Sequence, residues 1–324
     1  MSDRAGAKAA GAAAGDLAAG PTEDGAARAV RVPAARPSEG RLVYSLMLAP
    51  ALALLAVFVF VPVVLVVAGS FHRFGLTSPE WTFVGLAHYA RLVEDPIFWT
   101  ALKNNLFIVV GSIVLHVGIG TALAAALDRG IGIGSTVLRT IVFAPMVVSS
   151  VAVGIIWLII LDPNVGPLNA LVRLVGLDPP RLGWLGDPTV SIWVVLGIAT
   201  WQYTGFMMVL ILAGLQGVPK EIYQAAALDG ATGLRAFWHI TLPSIRNVLI
   251  VAVLITTIGG IKVFDLIYVT TGGGPANATQ VLGTYIYQQG FTLGRMGYAD
   301  AVSVVLLAIA VVLGALQLRV SRRA

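Results

Sequence analysis

The chain has 324 residues, of which 57% are hydrophobic and only 11% charged, with a formal net charge of +5 at pH 7. Soluble globular chains carry about 25% charged residues, so this one lacks the charge to cover a water-facing surface; an ordinary cytosolic enzyme is excluded, and most of the surface must meet lipid. With no Cys, disulfides and thiolate metal sites are excluded as well.

Residues 1–40 are rich in Ala, Gly and Pro, carry both charge signs and hold almost no large apolar side chain. Such a segment cannot bury enough surface to offset the entropy of ordering, which predicts a disordered cytoplasmic tail. It is a poor signal peptide, because the apolar run begins only at Leu42 and is about twice the usual length of such a region.

Six apolar blocks follow. A helix rises ~1.5 Å per residue and the hydrocarbon layer is ~30 Å thick, so one crossing takes roughly 20 apolar residues. The uncharged runs are Leu42 to Phe71, Asn104 to Leu127, Thr140 to Leu161, Pro188 to Pro219, Asn247 to Ile261 and Ala301 to Leu318. The fifth is short because Lys262 and Asp265 interrupt a stretch that stays apolar to Val269. Residues 266–294 are also uncharged, but Thr270 to Gln280 holds three consecutive Gly, a Pro, an Asn and a Gln, which predicts a loop rather than a span. The expected fold class is therefore an all-α integral membrane protein with six transmembrane helices.

Basic residues set the expected orientation. If the first helix leaves the cytoplasm, the inside segments hold 14 of the 21 Lys and Arg, and the outside segments hold only Arg73, Arg91, Arg173, Arg181 and Arg295. The positive-inside rule then puts both termini in the cytoplasm. The basic balance is a topology signal rather than a sign of nucleic acid binding. By segments, 1–40 is the tail, 41–101 the first helix with the first outside loop, 102–320 a five-helix core, and 321–324 a basic cytoplasmic end.

The most informative loop lies on the inside, between the fourth and fifth blocks, over 217–243. Pro219 suits the first turn of a helix, Glu221 complements its positive end, and Gly230 is the residue with which a helix stops in a left-handed conformation. Thr232 can cap a second short helix through Arg235 to Ile240, and Pro243 then fits the first turn of the fifth span. An amphipathic helix pair on the membrane surface would read this way. So would a docking surface: Ala225 and Ala226 let another backbone approach closely, and Tyr223, Leu234, Phe237 and Trp238 could fill a partner's groove.

The spacing Gln224-Ala225-Ala226, three residues, Gly230, nine residues, Ile240, one residue, Leu242-Pro243 resembles the EAA motif of ABC importer permeases, with Gln in place of the leading Glu. The resemblance implies the type I ABC importer permease fold and assigns this loop the role of a coupling helix inserted into an ATP-hydrolysing subunit. The residues it nominates are Tyr223, Gln224, Ala225, Ala226, Asp229, Gly230, Ala231, Phe237, Ile240, Leu242 and Pro243. Gln224 keeps the length of Glu and its hydrogen bonding without the charge. Residues 83–89, Asp95-Pro96-Ile97-Phe98, Asn104-Asn105, Gly166-Pro167-Leu168-Asn169, Trp184-Leu185 and Ala213-Gly214-Leu215-Gln216 are similar to carbohydrate-uptake permeases. Lys262-Val263-Phe264-Asp265 and Thr270 to Pro275 are similar to the first of the two paired permeases in maltose-type and glycerol-phosphate-type systems.

That resemblance implies a sugar importer in a prokaryotic inner or plasma membrane, built from this chain, a second permease as heterodimer partner, two ATP-binding subunits and an extracytoplasmic solute-binding protein. The chain has no phosphate cradle of the form G-x-x-x-x-G-K-[ST], so ATP is expected to be split elsewhere and no cofactor is expected here. Gly130 to Ser135 misses the dinucleotide pattern and follows a span, so it is expected to be a flexible inside loop. His72, His88, His116 and His239 are scattered, and no catalytic or metal-binding set stands out. Asn277-Ala278-Thr279 has the form of a glycosylation sequon and is read as plain loop; Gly272 to Pro275 is expected to shape an outside loop.

Polar and aromatic residues at membrane depth are the candidates for a solute pathway, because each polar group there needs a partner or a wet cavity. Trp201-Gln202-Tyr203 in the fourth span offer an amide, a hydroxyl and ring faces, which suit a sugar better than an ion; the other reading of Gln202 is a tie between helices. Lys262 and Asp265, three apart, could share a helix face as an ion pair or gate element, or touch substrate. His116 suits packing or an interhelical hydrogen bond better than a proton relay. A secondary transporter of small polar solutes, a glycerol phosphate permease and a non-transporting membrane anchor are the remaining alternatives.

Overall fold

The computed structural model describes residues 37–78, 80–128 and 135–323. The expected tail, apart from 37–40, and the expected Gly130 to Ser135 loop, apart from Ser135, lie outside these residues. The chain divides between Ala56 and Val57 into two compact units.

Helix α1 (Tyr44–Gly69) is long and apolar enough to cross a membrane. A two-strand antiparallel ribbon follows, β1 (His72–Arg73) and β2 (Thr82–Phe83), with His72 opposite Phe83. Helix α2 (Ala87–Glu94) leads into α3 (Pro96–Asp128), which contains a π-helical turn at Ile113–Val117. At ~1.5 Å per residue α3 is ~50 Å long. Asp95 starts it: the carboxylate oxygen Oδ1 accepts from the backbone N–H of Ile97 at 2.9 Å and of Phe98 at 3.4 Å. With Pro96 at the first helical position, this is the N-terminal signature that satisfies otherwise orphaned amides.

The third apolar block is not one straight span. It forms α4 (Ser135–Val147) and α5 (Ser150–Ile160), bent by 101° at Val148 and Ser149. Pro145 lies inside α4 and removes a helical N–H one turn before the bend. After the short α6 (Pro167–Leu174), the 26-residue α7 (Ser191–Gln216) runs through the core. Over its most apolar stretch 56% of α7 is buried, against 11% for the last helix. Ile108, Val153 and Ile267 pack with its Val195 in one part, and Ala124 and Ala252 with its Met208 and Ile211 in another. Close approach depends on small residues: a methyl group at Gly205 would run into the backbone carbonyl of Val142.

The loop after α7 contains α8 (Lys220–Leu228) and α9 (Gly233–Ser244), and α10 (Arg246–Ile261) leaves α9 at 73°. Pro243 thus ends α9 instead of opening the fifth span, and the chain turns at Ile245. The fifth span is interrupted as its charges suggest: α10 stops at Ile261, Lys262 to Phe264 are not helical, and α11 (Asp265–Thr270) follows. Residues 271–280 form turns, as expected for that stretch. The chain then forms α12 (Leu282–Tyr287), a π turn at Gln288–Thr292, and α13 (Met296–Arg323). Among the described residues four helices are long and apolar enough to span, and up to six spans result when each bent pair counts as one.

Candidate coupling surface and solute pathway

Two cavities mark the two ends of α3. Asp128, at its C-terminal end, borders a cavity of about 420 Å³ together with Tyr223, Ala227, Ala231 and Thr241 from the loop after α7. Asp95, at its N-terminal end, borders one of about 440 Å³. The two sites therefore belong to opposite ends of one helix.

The 217–243 segment has the local structure its sequence predicts at Gly230. Gly230 has φ +72°, its N–H donates to Ala227 O at 3.1 Å, and the Ala231 N–H donates to Ala226 O at 2.9 Å. These two bonds satisfy the last carbonyls of α8 in a Schellman arrangement. Ala226 faces inward and is buried, whereas Gln224, Ala225 and Asp229 are exposed. Tyr223 is half-buried and, like Ala231, lines the cavity beside Asp128. Thr232 stands at the start of α9, but no capping bond from its side chain forms there.

Beyond the turn, Phe237 and Trp238 meet edge to face at 5.6 Å. Phe237, Ile240 and Leu242 are half-buried, and Pro243 is exposed. The outward side is apolar: Leu228 is 90% exposed, Leu234 75% and Trp238 60%. Large apolar side chains raised on a two-helix knob and rimmed by Gln224, Asp229 and Arg235 form the kind of exposed patch that marks an interaction surface.

In the core, Gln202 and Tyr203 converge on the bend between α4 and α5. Gln202 Nε2 donates to Val148 O at 3.1 Å and to Ser150 Oγ at 3.3 Å, and the Tyr203 hydroxyl lies 2.9 Å from the same Oγ. Val148 O is a carbonyl freed by the bend, so the α7 amide repairs the break from outside the helix. Gln202 is 1% exposed, and its Oε1 has no hydrogen-bond partner among the described residues. Trp201 is partly exposed and meets Trp157 edge to face at 5.7 Å. His116 is buried in the π turn of α3, 6.0 Å from the Tyr203 ring.

Lys262 and Asp265 do not share a helix face, because the backbone leaves the helix between them; both are exposed, and no ion pair joins them.

Sequence reasoning about function gave no role to two polar anchors. Asn105 Nδ2 donates to Gly260 O at 3.1 Å and Ile261 O at 3.3 Å, while its Oδ1 accepts from Leu282 N at 2.7 Å. It therefore ties α3 to the end of α10 and to the start of α12. Asp95 Oδ2 accepts from the hydroxyls of Tyr285 and Tyr298. Burial raises the Asp95 pKa, but those two hydroxyls and the Ile97 and Phe98 N–H groups outweigh it and hold the carboxyl below its ordinary range. The Asp-Pro pair was a visible signal for the cap; nothing local announced the tyrosines.

A family model described as binding-protein-dependent transport system inner membrane component matches residues 116–324. The probable ABC transporter permease protein YurN of Bacillus subtilis is 38% identical over 283 residues, which cover 87% of this chain and 97% of that protein. The trehalose/maltose transport system permease protein MalF of Thermococcus litoralis is 34% identical, over 88% of this chain and 95% of its own. Among solved structures, a chain of a bacterial ABC transporter involved in the import of the acidic polysaccharide alginate matches with a TM-score of 0.77 and 25% identity, covering 88% of this chain and 96% of its own.

Proposed function

The chain belongs to the family of binding-protein-dependent transport system inner membrane components, a multi-pass permease subunit of an ABC importer, and from that premise we propose that it carries a sugar inward through the prokaryotic inner or plasma membrane. The saccharide names of the Thermococcus relative and of the alginate importer support the substrate class. In this reading both termini and the Asp128 end of α3 face the cytoplasm, a second permease completes the pathway as a heterodimer, and a solute-binding protein delivers the sugar to the Asp95 end.

The observation that carries the coupling role is the knob at α8 and α9. Its Schellman turn fixes the angle at which Leu228 and Leu234 project, and burying large apolar side chains stabilises an interface by roughly 1.5–3 kcal/mol each. Two ATP-binding subunits close on nucleotide, and the knob passes their movement to α7 and α10. The polar group Ser150, Gln202 and Tyr203 sits where α4 and α5 bend, so a change of angle there alters access from one side to the other. Gln202 and Tyr203 serve both the hinge and the solute route, with Trp201 offering a ring face. Lys262 and Asp265, exposed at the interruption of the fifth span, flank that route as gate residues.

The test is reconstitution. Proteoliposomes holding the chain, its second permease, the ATPase and the binding protein are offered labelled glucose, maltose, trehalose, cellobiose, N-acetylglucosamine and glycerol 3-phosphate. ATP-dependent uptake of a sugar is expected. Uptake of glycerol 3-phosphate alone would overturn the sugar assignment, and uptake insensitive to ATP would overturn the coupling role.

A further inference from the structure

Two helices long and apolar enough to cross a membrane end side by side: α1 stops at Gly69 and α13 starts at Met296, and a methyl group at Gly69 would run into the Asp300 carboxylate. The 26 residues of α1 make ~39 Å of helix, more than a hydrocarbon layer of ~30 Å needs. Their shared end therefore lies in the headgroup region of the bilayer.

The β1–β2 ribbon begins three residues beyond Gly69, and it has two faces because side chains alternate across a strand. On one, the His72 ring lies 5.2 Å from Trp81 and 5.4 Å from Phe83. Phe83 is 71% exposed and Trp81 49%, and open aromatic side chains beside the end of a span mark a membrane interface. The other face, with Arg73 and Thr82 paired across the ribbon, borders a cavity of about 410 Å³, within the range of small-molecule sites, roughly 300–1,000 Å³. Close approach fixes its walls: a methyl group at Gly75 would run into the Gly294 carbonyl oxygen, and one at Gly297 into that of His72.

The charges of this lining are unbalanced. Arg73, Arg91 and Arg295 contribute three guanidinium groups, and Glu80 contributes the one carboxylate; Asp300 does not border the cavity. Glu94 and Asp95 border the neighbouring cavity, which shares Arg91 and Arg295, but Asp95 already accepts from two backbone N–H groups and two tyrosine hydroxyls. No ion pair joins any of the three Arg to a carboxylate among the described residues. Arg91 lies instead over the Tyr298 ring, 5.0 Å from its centroid. Burial, with the positive charges of Arg73 and Arg91, outweighs the bond to His72 O and holds the His88 pKa below its ordinary 6.5, so this lining imidazole is neutral at pH 7. A guanidinium fork matches phosphate oxygens in pairs, and at headgroup level the most abundant phosphate is that of the lipid.

We propose that this cavity binds the headgroup of a phospholipid, its phosphate held by Arg73, Arg91 and Arg295, with the Trp81 and Phe83 face of the ribbon set among acyl chains of the same leaflet. The site anchors the loop after α1 to the bilayer whatever solute the permease carries. Its level and its open rings favour lipid over an acidic protein segment.

The assembled importer is placed in nanodiscs of phosphatidylglycerol and phosphatidylethanolamine with plain or brominated acyl chains, and Trp81 emission is read as the difference between wild type and Trp81→Phe. Strong quenching of that difference by brominated chains is expected. Emission that bromination leaves unchanged would overturn the proposal, and shielding that appears only when the binding protein is added would give the surface to that protein instead. The headgroup is tested by native mass spectrometry of the importer in detergent with added dioleoyl phosphatidylglycerol. All three Arg side chains are exposed, so Arg73→Gln and Arg295→Gln leave the fold intact. Each should hold one phospholipid about fivefold or more less tightly than wild type, and glycerol 3-phosphate should not displace it. Equal lipid affinity in wild type and both variants would overturn the site, and displacement by glycerol 3-phosphate would assign it to a soluble phosphate.

Discussion

The Tyr298 hydroxyl donates to Asp95 Oδ2 at 2.6 Å across a sequence separation of 203 residues, which fastens the start of α13 to the start of α3. Asp95 thus does local and long-range duty with different oxygens.

Because its folded pKa lies below the ordinary 3.8, the stabilisation from Asp95 is fully present above the unfolded value and is lost as pH falls through the folded one. Asp95→Asn keeps a cap but places an amide against the tyrosine hydroxyls. Thermal unfolding of the solubilised complex should show a clear deficit for the variant at pH 7 that narrows towards pH 3. A deficit of equal size at both pH values would refute this account.

Gly230→Leu separates strain from contact. No atom lies within 4 Å of the position a side chain would start from, so nothing clashes. The φ of +72° is what disfavours Leu, by roughly 1–2 kcal/mol. We expect the chain to assemble in the membrane at normal levels while sugar-stimulated ATPase activity falls by about fivefold or more. Gly230→Asn, which tolerates this backbone region better, should retain most of the stimulation.

Leu228→Asp tests the exposed face of the knob. A charge on a side chain 90% exposed leaves the fold alone and should abolish copurification of the ATPase subunit. Retention at wild-type yield would remove Leu228 from the interface.

Gly205→Ala should be worse than Gly214→Ala. At Gly205 the new methyl meets the Val142 backbone, which cannot rotate away, whereas at Gly214 it meets the Val248 side chain at 2.7 Å. Overpacking of this kind costs about 1–3 kcal/mol. The yield of folded Gly205→Ala should drop the more steeply of the two, read by size-exclusion chromatography in detergent.

Gln202→Ala leaves Val148 O without its partner from α7, a loss of roughly 1 kcal/mol or more. Sugar uptake should slow by about fivefold with the quaternary complex intact, and unchanged kinetics would place Gln202 outside both hinge and pathway.

Much of this was legible in the sequence. Apolar block length located the spans, and Pro219, Glu221 and Gly230 located α8 and its stop, because those signals act within one helical turn. What failed to show were relations between distant segments: the bend at Val148, the repair of that bend by Gln202, and the meeting of Asn105 with Gly260 and Leu282. A run such as Thr140 to Leu161 is apolar whether straight or bent, so hydropathy cannot see a break whose polar partners come from another helix. The pairing of Lys262 with Asp265 failed for a related reason: spacing implies a shared face only where the helix continues.

A helix ~50 Å long exceeds a hydrocarbon layer of ~30 Å, so α3 held upright would stand clear of the lipid by ~20 Å in total, with both ends packed in protein, where Phe98, Ala101, Ala124 and Leu127 are buried. Pivoted at its middle, near the π turn, a tilt of about 10° swings each tip by ~4 Å in opposite directions. The Asp95 and Asp128 tips therefore cannot shift independently unless α3 itself bends, and the π turn at Ile113–Val117, with His116 in it, is where the rod departs from regular α-helix.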